Sequence, residues 1–267
     1  MGGTDPSPSE RSMMSGVSEI GERLSAAFGL STLPIAVCGV DEVPEGAVPL
    51  PSVHRCIAVS LYRLASGATG ADGLYLGGDA DRGCCPGGLA HMGLVERSDE
   101  IRWFVSTGRA DVRGGAAEYL KADPDLVDAC FARAGPVSPP GRYLLLRPCR
   151  EVTDDAAVRS LCLLGTAEAV RNIAALVHFD RPDPFSPVIA PWGPACATFV
   201  SYPAGMTAGA PAETAFLGPT DPTVNYALPA DVLGIGIPIG VARRMAENLE
   251  ASFVLRRPRV AFPERRG

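Results

Sequence analysis

Four of the eight cysteines in this chain lie at the boundaries of predicted elements rather than inside apolar runs. Two of them are adjacent, in the sequence CCPGG at 84–88. Cys56 follows a proline-rich loop, and Cys196 lies in the sequence WGPACA. Ligands usually bind where secondary-structure elements begin or end. Thiols in such positions act as metal ligands or nucleophiles, or they are small apolar residues in turns. We therefore treat this group as the candidate reactive site.

The sequence after the paired cysteines favours a ligand site. Pro86 fixes the backbone, and Gly87 and Gly88 let main-chain N–H groups approach a ligand closely. The group has no short CxxC pair, which would be the strong signal for a metal. The other four cysteines lie in or beside apolar runs, so we expect them to be buried and inert: Cys38, Cys130, Cys149 and Cys162.

Other catalytic motifs are missing. The glycine-rich stretches at 87–93 and 234–240 match neither a Walker loop nor GxGxxG, and the chain has no HExxH or GxSxG. His91, shortly after CPGG, is the best local acid/base candidate, although it could equally be a surface or capping histidine. Tyr202 and Asp221 are weaker candidates, near Cys196 in sequence only. Trp192 is expected either to line the pocket and exclude water from it or to belong to the hydrophobic core.

Charge and composition narrow the class of protein. The chain has 267 residues, 46% of them hydrophobic, which suffices for a folded core. A net charge of −6 argues against nucleic-acid binding. No apolar run approaches the ~20 residues needed to cross a membrane, and the acidic N-terminus does not resemble a secretory signal. These features favour the cytoplasm, where disulfides are rare.

Hydrophobic periodicity predicts helices and strands mixed along the chain. Helices are predicted at 16–28, 56–65, 116–120, 124–134, 166–176 and 240–254. Strands are predicted at 34–40, 143–147, 160–165, 187–191 and 232–239, and a loop at 41–51. Residues 99–106 fit either a strand or a short helix. No internal repeat is visible in the sequence.

These elements predict an α/β or α+β fold, a single compact mixed-sheet domain flanked by helices. It would span 16–255, between a disordered tail at 1–15 and a basic tail at 256–267. The glycine–isoleucine strand at 232–239 is a candidate sheet edge that could pair with a second copy to form a homodimer.

Several motifs in this order resemble one family over residues 18–255. They are LPIAV at 33–37, Cys56, CPGG at 85–88, APWGPACA at 190–197 followed by YP, and a late IPIGVARRMAENLEASF. Together they resemble the domain of unknown function 169 family. The resemblance implies that Cys56, Cys85 and Cys196 belong together, and it implies no activity. The adjacent Cys84 departs from the family pattern, so it remains an alternative ligand.

Three thiolates from distant segments suit a [4Fe–4S] cluster better than zinc, which prefers a closed set of four ligands. With three cysteines, one iron stays open and can bind a small polar substrate. The leading hypothesis is therefore an iron–sulfur enzyme, a lyase or sulfurtransferase, with His91 or Tyr202 moving protons. The alternative is a corrinoid or tetrapyrrole carrier without chemistry of its own. A third hypothesis is a metal-free thiol enzyme that uses Cys84 and Cys85.

Overall fold

The computed structural model describes residues 16–52, 56–77 and 83–256. Within these ranges the chain forms one mixed sheet of eight strands. The strands are β1 (Ile35–Val40), β2 (Ala47–Pro49), β3 (Gly73–Gly77), β4 (Tyr143–Pro148), β5 (Val158–Thr166), β6 (Val188–Ile189), β7 (Ala215–Gly218) and β8 (Val232–Pro238). Their order across the sheet is β2-β3-β4-β1-β5-β8-β7-β6. A continuous mixed sheet with flanking helices confirms the predicted α/β class.

Helices cover both faces of this sheet. The α-helices are α1 (Val17–Phe28), α2 (Ile57–Ala65), α3 (Pro86–His91), α4 (Glu100–Val105), α5 (Pro124–Ala134), α6 (Ala167–His178), α7 (Ile239–Asn248) and α8 (Phe253–Arg256). A π-helical segment spans Cys196–Ser201. Single 3-10 turns occupy Arg113–Gly115, Cys149–Glu151, Asp155–Ala157 and Pro222–Val224. None of the helices in the described ranges is both long enough and apolar enough to cross a membrane.

Local sequence explains where the longer helices begin and end. In α1 the buried residues Val17, Ile20 and Leu24 recur on one face, and Gly29 ends the helix with a left-handed φ of 60°. Before α6 the Thr166 hydroxyl accepts a hydrogen bond from the Ala169 N–H at 3.3 Å, a cap that contributes about 1 kcal/mol.

The strands direct alternate side chains into two cores. In β4, Leu144 and Leu146 pack into one core and Leu145 into the other. The core around Leu145 is covered by α1, α6 and α7. The opposite core is covered by α2, α3 and the π-helical segment, and it holds Cys84 and Cys196. These two candidate site cysteines therefore lie on the same face of the sheet.

The sheet contains two halves with the same topology, although the sequence shows no repeat. Read from the two edges, the order is β2-β3-β4-β1 in one half and β6-β7-β8-β5 in the other. Each outer pair is parallel, and every other pair is antiparallel. At the centre, Ile35 pairs with Cys162, Ala36 with Leu161 and Val37 with Ser160. This register is symmetric about the central pair, so an approximate two-fold axis passes there.

Most predicted elements are confirmed, and three are corrected. Residues 116–120 are not helical, because the positive φ angles of Gly115 (85°) and Tyr119 (54°) break the helical path. The predicted loop at 41–51 contains β2, which forms because its backbone pairs with β3. The predicted helix at 240–254 is interrupted between α7 and α8.

Residues 99–106, for which a strand or a short helix was predicted, contain the helix α4. The strand β8 is not a sheet edge, because β5 and β7 pair with its two sides. The prediction that this strand pairs with a second copy of the chain is therefore wrong. The predicted tails at 1–15 and beyond Arg256 lie outside the described residues.

Candidate functional site

Four cysteines line one cavity of about 320 Å³ on the face that carries α2 and the π-helical segment: Cys56, Cys84, Cys85 and Cys196. Three of their sulfurs converge on Gly88. A Cβ atom built on Gly88 would overlap the Cys84 sulfur, and it would lie 3.4 Å from the Cys85 sulfur and 3.5 Å from the Cys196 sulfur. The thiols can approach this closely only because residue 88 has no side chain.

The two halves of the sheet place Cys56 and Cys196 at equivalent positions. Cys56 is the N-cap of α2, the helix that joins the parallel strands β2 and β3. Cys196 begins the π-helical segment, which joins the parallel strands β6 and β7. Both helices lie on the same face of the sheet, so the approximate two-fold axis directs both cysteines toward one cavity.

The adjacent pair enters from the loop after β3. Cys85 is the N-cap of α3, and its sulfur accepts a hydrogen bond from the Gly88 N–H at 3.3 Å. The Cys84 thiol donates a hydrogen bond to the Cys85 sulfur, and this bond, with the N–H groups of Gly88 and Gly87, lowers the pKa of Cys85 to about 6. The same bond and burial raise the pKa of Cys84. Cys85 is therefore the more acidic member of the pair, and Cys84 is the member that holds the proton.

Further contacts tie the pair to the other cysteines. The Ile57 N–H, at the start of α2, donates to the Cys84 sulfur. Burial raises the pKa of Cys196, and the negative charges of Cys85 and Cys56 raise it further. The Tyr226 hydroxyl is hydrogen-bonded to Cys56. The four thiols thus form one interacting group.

Three carboxylates line the same cavity as the thiols: Glu100, Glu118 and Asp221. Burial, and then the charges of Asp221 and Cys85, raise the pKa of Glu118 to about 7. Asp221 is buried, and its Oδ1 accepts hydrogen bonds from the N–H and hydroxyl of Thr223 at 2.8 and 2.7 Å. Sequence reasoning identified Asp221 but missed Glu118, because no local pattern marks a single carboxylate in an irregular segment.

His91 lines the cavity at the end of α3 and stacks on Phe131, with ring centroids 4.7 Å apart. Burial, with the positive charge of Arg97, lowers the pKa of His91 to about 4. The imidazole is therefore neutral at physiological pH. The neutral ring can accept or donate a hydrogen bond, but it carries no positive charge.

Tyr202 lies in a neighbouring cavity of about 260 Å³, where its ring packs against Phe216 with centroids 5.7 Å apart. The two cavities share His91, Phe131 and Trp192 as lining residues. The structure thus brings together the four cysteines, Gly87, Gly88 and His91, but it places Tyr202 in the adjoining cavity. Cys130, expected to be inert, is only half-buried and also lines this second cavity.

The donor set of this cavity consists of thiols. In the described ranges, no group of three or more His, Cys, Asp or Glu side chains is arranged to hold one metal ion. An iron–sulfur cluster makes a different demand, because each cysteine binds its own iron and the sulfurs need not meet at one point. Thiolate is the preferred ligand of such clusters, and the space above Gly87, where a Cβ would touch nothing within 4 Å, is open.

Fold and site together define a class: a two-half mixed-sheet protein with a four-cysteine cavity between its halves. The sequence profile of domain of unknown function 169 (DUF169), described as uncharacterised ArCR, matches residues 23–248. The chain therefore belongs to the DUF169 family. The same comparisons find no match among curated proteins or solved structures.

Proposed function

We propose that this chain is an enzyme that holds a [4Fe–4S] cluster through Cys56, Cys85 and Cys196, leaving one iron open to substrate. The observation that carries the proposal is the position of these three cysteines, from separate segments of the chain, in the lining of one cavity. A hydrophobic core does not need four thiols from three separate segments in one cavity, so their grouping favours a role in binding. The cavity volume of about 320 Å³ suits a small-molecule substrate.

A cluster with an open iron supplies a Lewis acid that binds and polarises a hydroxyl, carboxylate or thiolate, or holds sulfur for transfer. The N–H groups of Gly87 and Gly88 already donate to the Cys85 sulfur, which stabilises negative charge there. Apolar side chains such as Phe104 and Ile101 line the cavity beside the thiols and exclude water.

Glu118 is the best-placed group for proton transfer in this cavity. Its pKa of about 7 lets the carboxyl group hold or release a proton at neutral pH. Asp221, whose negative charge raises that pKa, keeps its own Oδ1 engaged with Thr223. Removal of water or of sulfur from a substrate requires a proton donor at the leaving group, and Glu118 suits this role. The reaction class is therefore elimination or sulfur transfer.

Cys84 has a supporting role in this proposal. It is protonated and donates to the Cys85 sulfur, so Cys85 is the readier ligand. Cys84 can replace it only after losing that proton. A cytoplasmic location is part of the proposal, because eight free thiols persist in a reducing compartment.

The hydrogen-bonded pair also favours a second candidate, a metal-free thiol enzyme. A protonated thiol beside a thiolate of pKa about 6 is the arrangement of an activated nucleophile. The carrier hypothesis has less support, because about 320 Å³ lies at the lower limit for ligand pockets and a tetrapyrrole is a large ligand.

Absorption spectra of the protein purified without oxygen separate the three candidates. Broad absorption of a brown protein supports the cluster, sharp bands support a tetrapyrrole carrier, and a colourless protein with thiol-dependent turnover supports the second candidate. The Cys196→Ala variant should lose the brown colour. The matched control is Cys130→Ala, outside the thiol cavity, which should keep it. Equal colour in the parent and in Cys196→Ala would contradict the proposed ligands.

A further inference from the structure

The second cavity, which Tyr202 lines, is built largely of aromatic and proline side chains. Four aromatic residues line it, from separate parts of the chain: Phe131, Trp192, Tyr202 and Phe216. Aromatic residues in a cavity lining favour an apolar ligand with a ring of its own, because stacked and edge-on ring contacts are favourable beyond the area they bury.

Small residues keep this cavity open. Gly209 and Ala210 form part of its lining. A Cβ on Gly209 would collide with the backbone carbonyl groups of Arg133 and Ala134, so the loop packs directly on the end of α5.

One edge of the cavity is positively charged. Arg133 lines it, is exposed, and makes no ion pair with any residue in the described ranges. Tyr202, whose side chain carries a hydroxyl group, lines the same cavity. A guanidinium group and a hydroxyl beside aromatic rings suit a ring that carries a carboxylate.

The cavity adjoins the thiol cavity. His91, Phe131 and Trp192 line both, and the π-helical segment places Cys196 in the first cavity and, immediately after its end, Tyr202 in the second. A neutral His91, stacked on Phe131, makes the dividing wall apolar. A ligand in the second cavity that contacts these shared residues therefore lies next to the thiol cavity.

We propose that the second cavity binds a planar aromatic carboxylate, the non-reacting part of the molecule whose other end meets the thiols. Binding of the ring is a property of this cavity alone. Only its assignment to the substrate rests on the proposed function.

Calorimetric titration with 2-naphthoate tests the proposal. We expect saturable binding to one site of the parent protein, with a dissociation constant below about 1 mM. Ala210→Phe, which fills the cavity, should weaken binding at least about tenfold, and Arg133→Gln should weaken it several-fold. Ala208→Phe, an exposed neighbour of Ala210 that does not line the cavity, should bind as the parent does. If Ala210→Phe does not fold, Ala134→Leu fills the same cavity from α5.

Two results would overturn the proposal: no saturable binding by the parent, or unchanged binding by a folded variant that fills the cavity. Iron and sulfide are measured on the same preparations. Ala210→Phe should keep the metal content of the parent, so a failure of ring binding is distinguishable from a failure of the cluster proposal.

Discussion

Cys56 and Cys196 occupy equivalent positions in the two halves of the sheet. Each lies seven residues after the last residue of its edge strand, Pro49 in β2 and Ile189 in β6. Each then starts the helix that leads to the parallel neighbour of that strand. The two halves therefore donate one thiol each to a shared cavity, and the loop after β3 adds Cys84 and Cys85 from one half only.

The absence of a side chain at Gly88 is predicted to be essential for cluster binding. Gly88→Ala would force the sulfurs of Cys84, Cys85 and Cys196 apart, because its Cβ would overlap the first of them. Overpacking of this kind costs about 1–3 kcal/mol of stability, and we expect loss of most iron and sulfide from a folded protein. Gly240→Ala in α7, which does not line the thiol cavity, is the control, since its Cβ would meet nothing within 4 Å. Equal metal content in the two variants would show that the sulfurs need not converge.

The acidity of Cys85 is predicted to depend on Cys84. In metal-free parent protein, alkylation of Cys85 by iodoacetamide should rise with pH through a midpoint of about 6. Cys84→Ala removes the donated hydrogen bond, so the midpoint should move upward. Once the midpoint lies above pH 7, the rate at pH 7 should fall roughly tenfold for each further pH unit that the midpoint rises. Peptide mass spectrometry measures the rate. A midpoint that does not move would show that Cys84 does not stabilise the thiolate.

Glu118 is predicted to make the protein less stable as pH rises. Its pKa is raised in the folded state to about 7, above the value of about 4.3 for an exposed glutamate. Between these values the folded state binds the extra proton, so the contribution of Glu118 to the free energy of unfolding declines as pH increases from 5 to 7. His91 and Cys85, whose pKa values are lowered in the folded state, contribute in the opposite direction. The difference in unfolding free energy between the parent and Glu118→Gln, measured in urea, should therefore decline with pH. Glu96→Gln, at an exposed carboxylate, serves as the control and should show no such pH-dependent difference from the parent.

His91 is predicted to remain uncharged across the physiological range. Because burial and Arg97 lower its pKa to about 4, its imidazole proton resonances should not shift between pH 5.5 and 8. A His91→Gln spectrum assigns the signals. A titration midpoint near 6.5 would indicate an exposed imidazole, and would restore His91 as the main acid/base group.

The sequence predicted most elements because local periodicity determines them. The helices α1, α5 and α6 and the strands β1, β4, β5 and β8 have strong apolar patterns. The helix predicted at 116–120 was wrong, because the positive φ angles of Gly115 and Tyr119 prevent it. Composition does not reveal such angles. The three-residue strand β2 forms through its partner β3, a long-range contact without a local signal.

A few residues of the two halves recur at the same spacing in the sequence, but this repeat is recognisable only once the structure is known. Pro51, Cys56 and Tyr62 recur at the same spacing as Pro191, Cys196 and Tyr202. Three matching residues in so long a chain do not reveal a repeat by themselves, whereas the strand order and register do. The cysteines could be grouped from sequence by their positions at element boundaries. Glu118 could not be added to them, because the fold alone places it beside the thiols.

Quantification of iron and acid-labile sulfide in the parent protein, purified without oxygen, tests the central claim most directly. We expect about four iron and four sulfide per chain. Cys56→Ser and Cys196→Ser should each lose this iron and sulfide, whereas Cys162→Ser, in strand β5, should retain both. A parent protein that binds neither iron nor sulfide, even after anaerobic reconstitution with both, would contradict the cluster and leave the four thiols to metal-free chemistry.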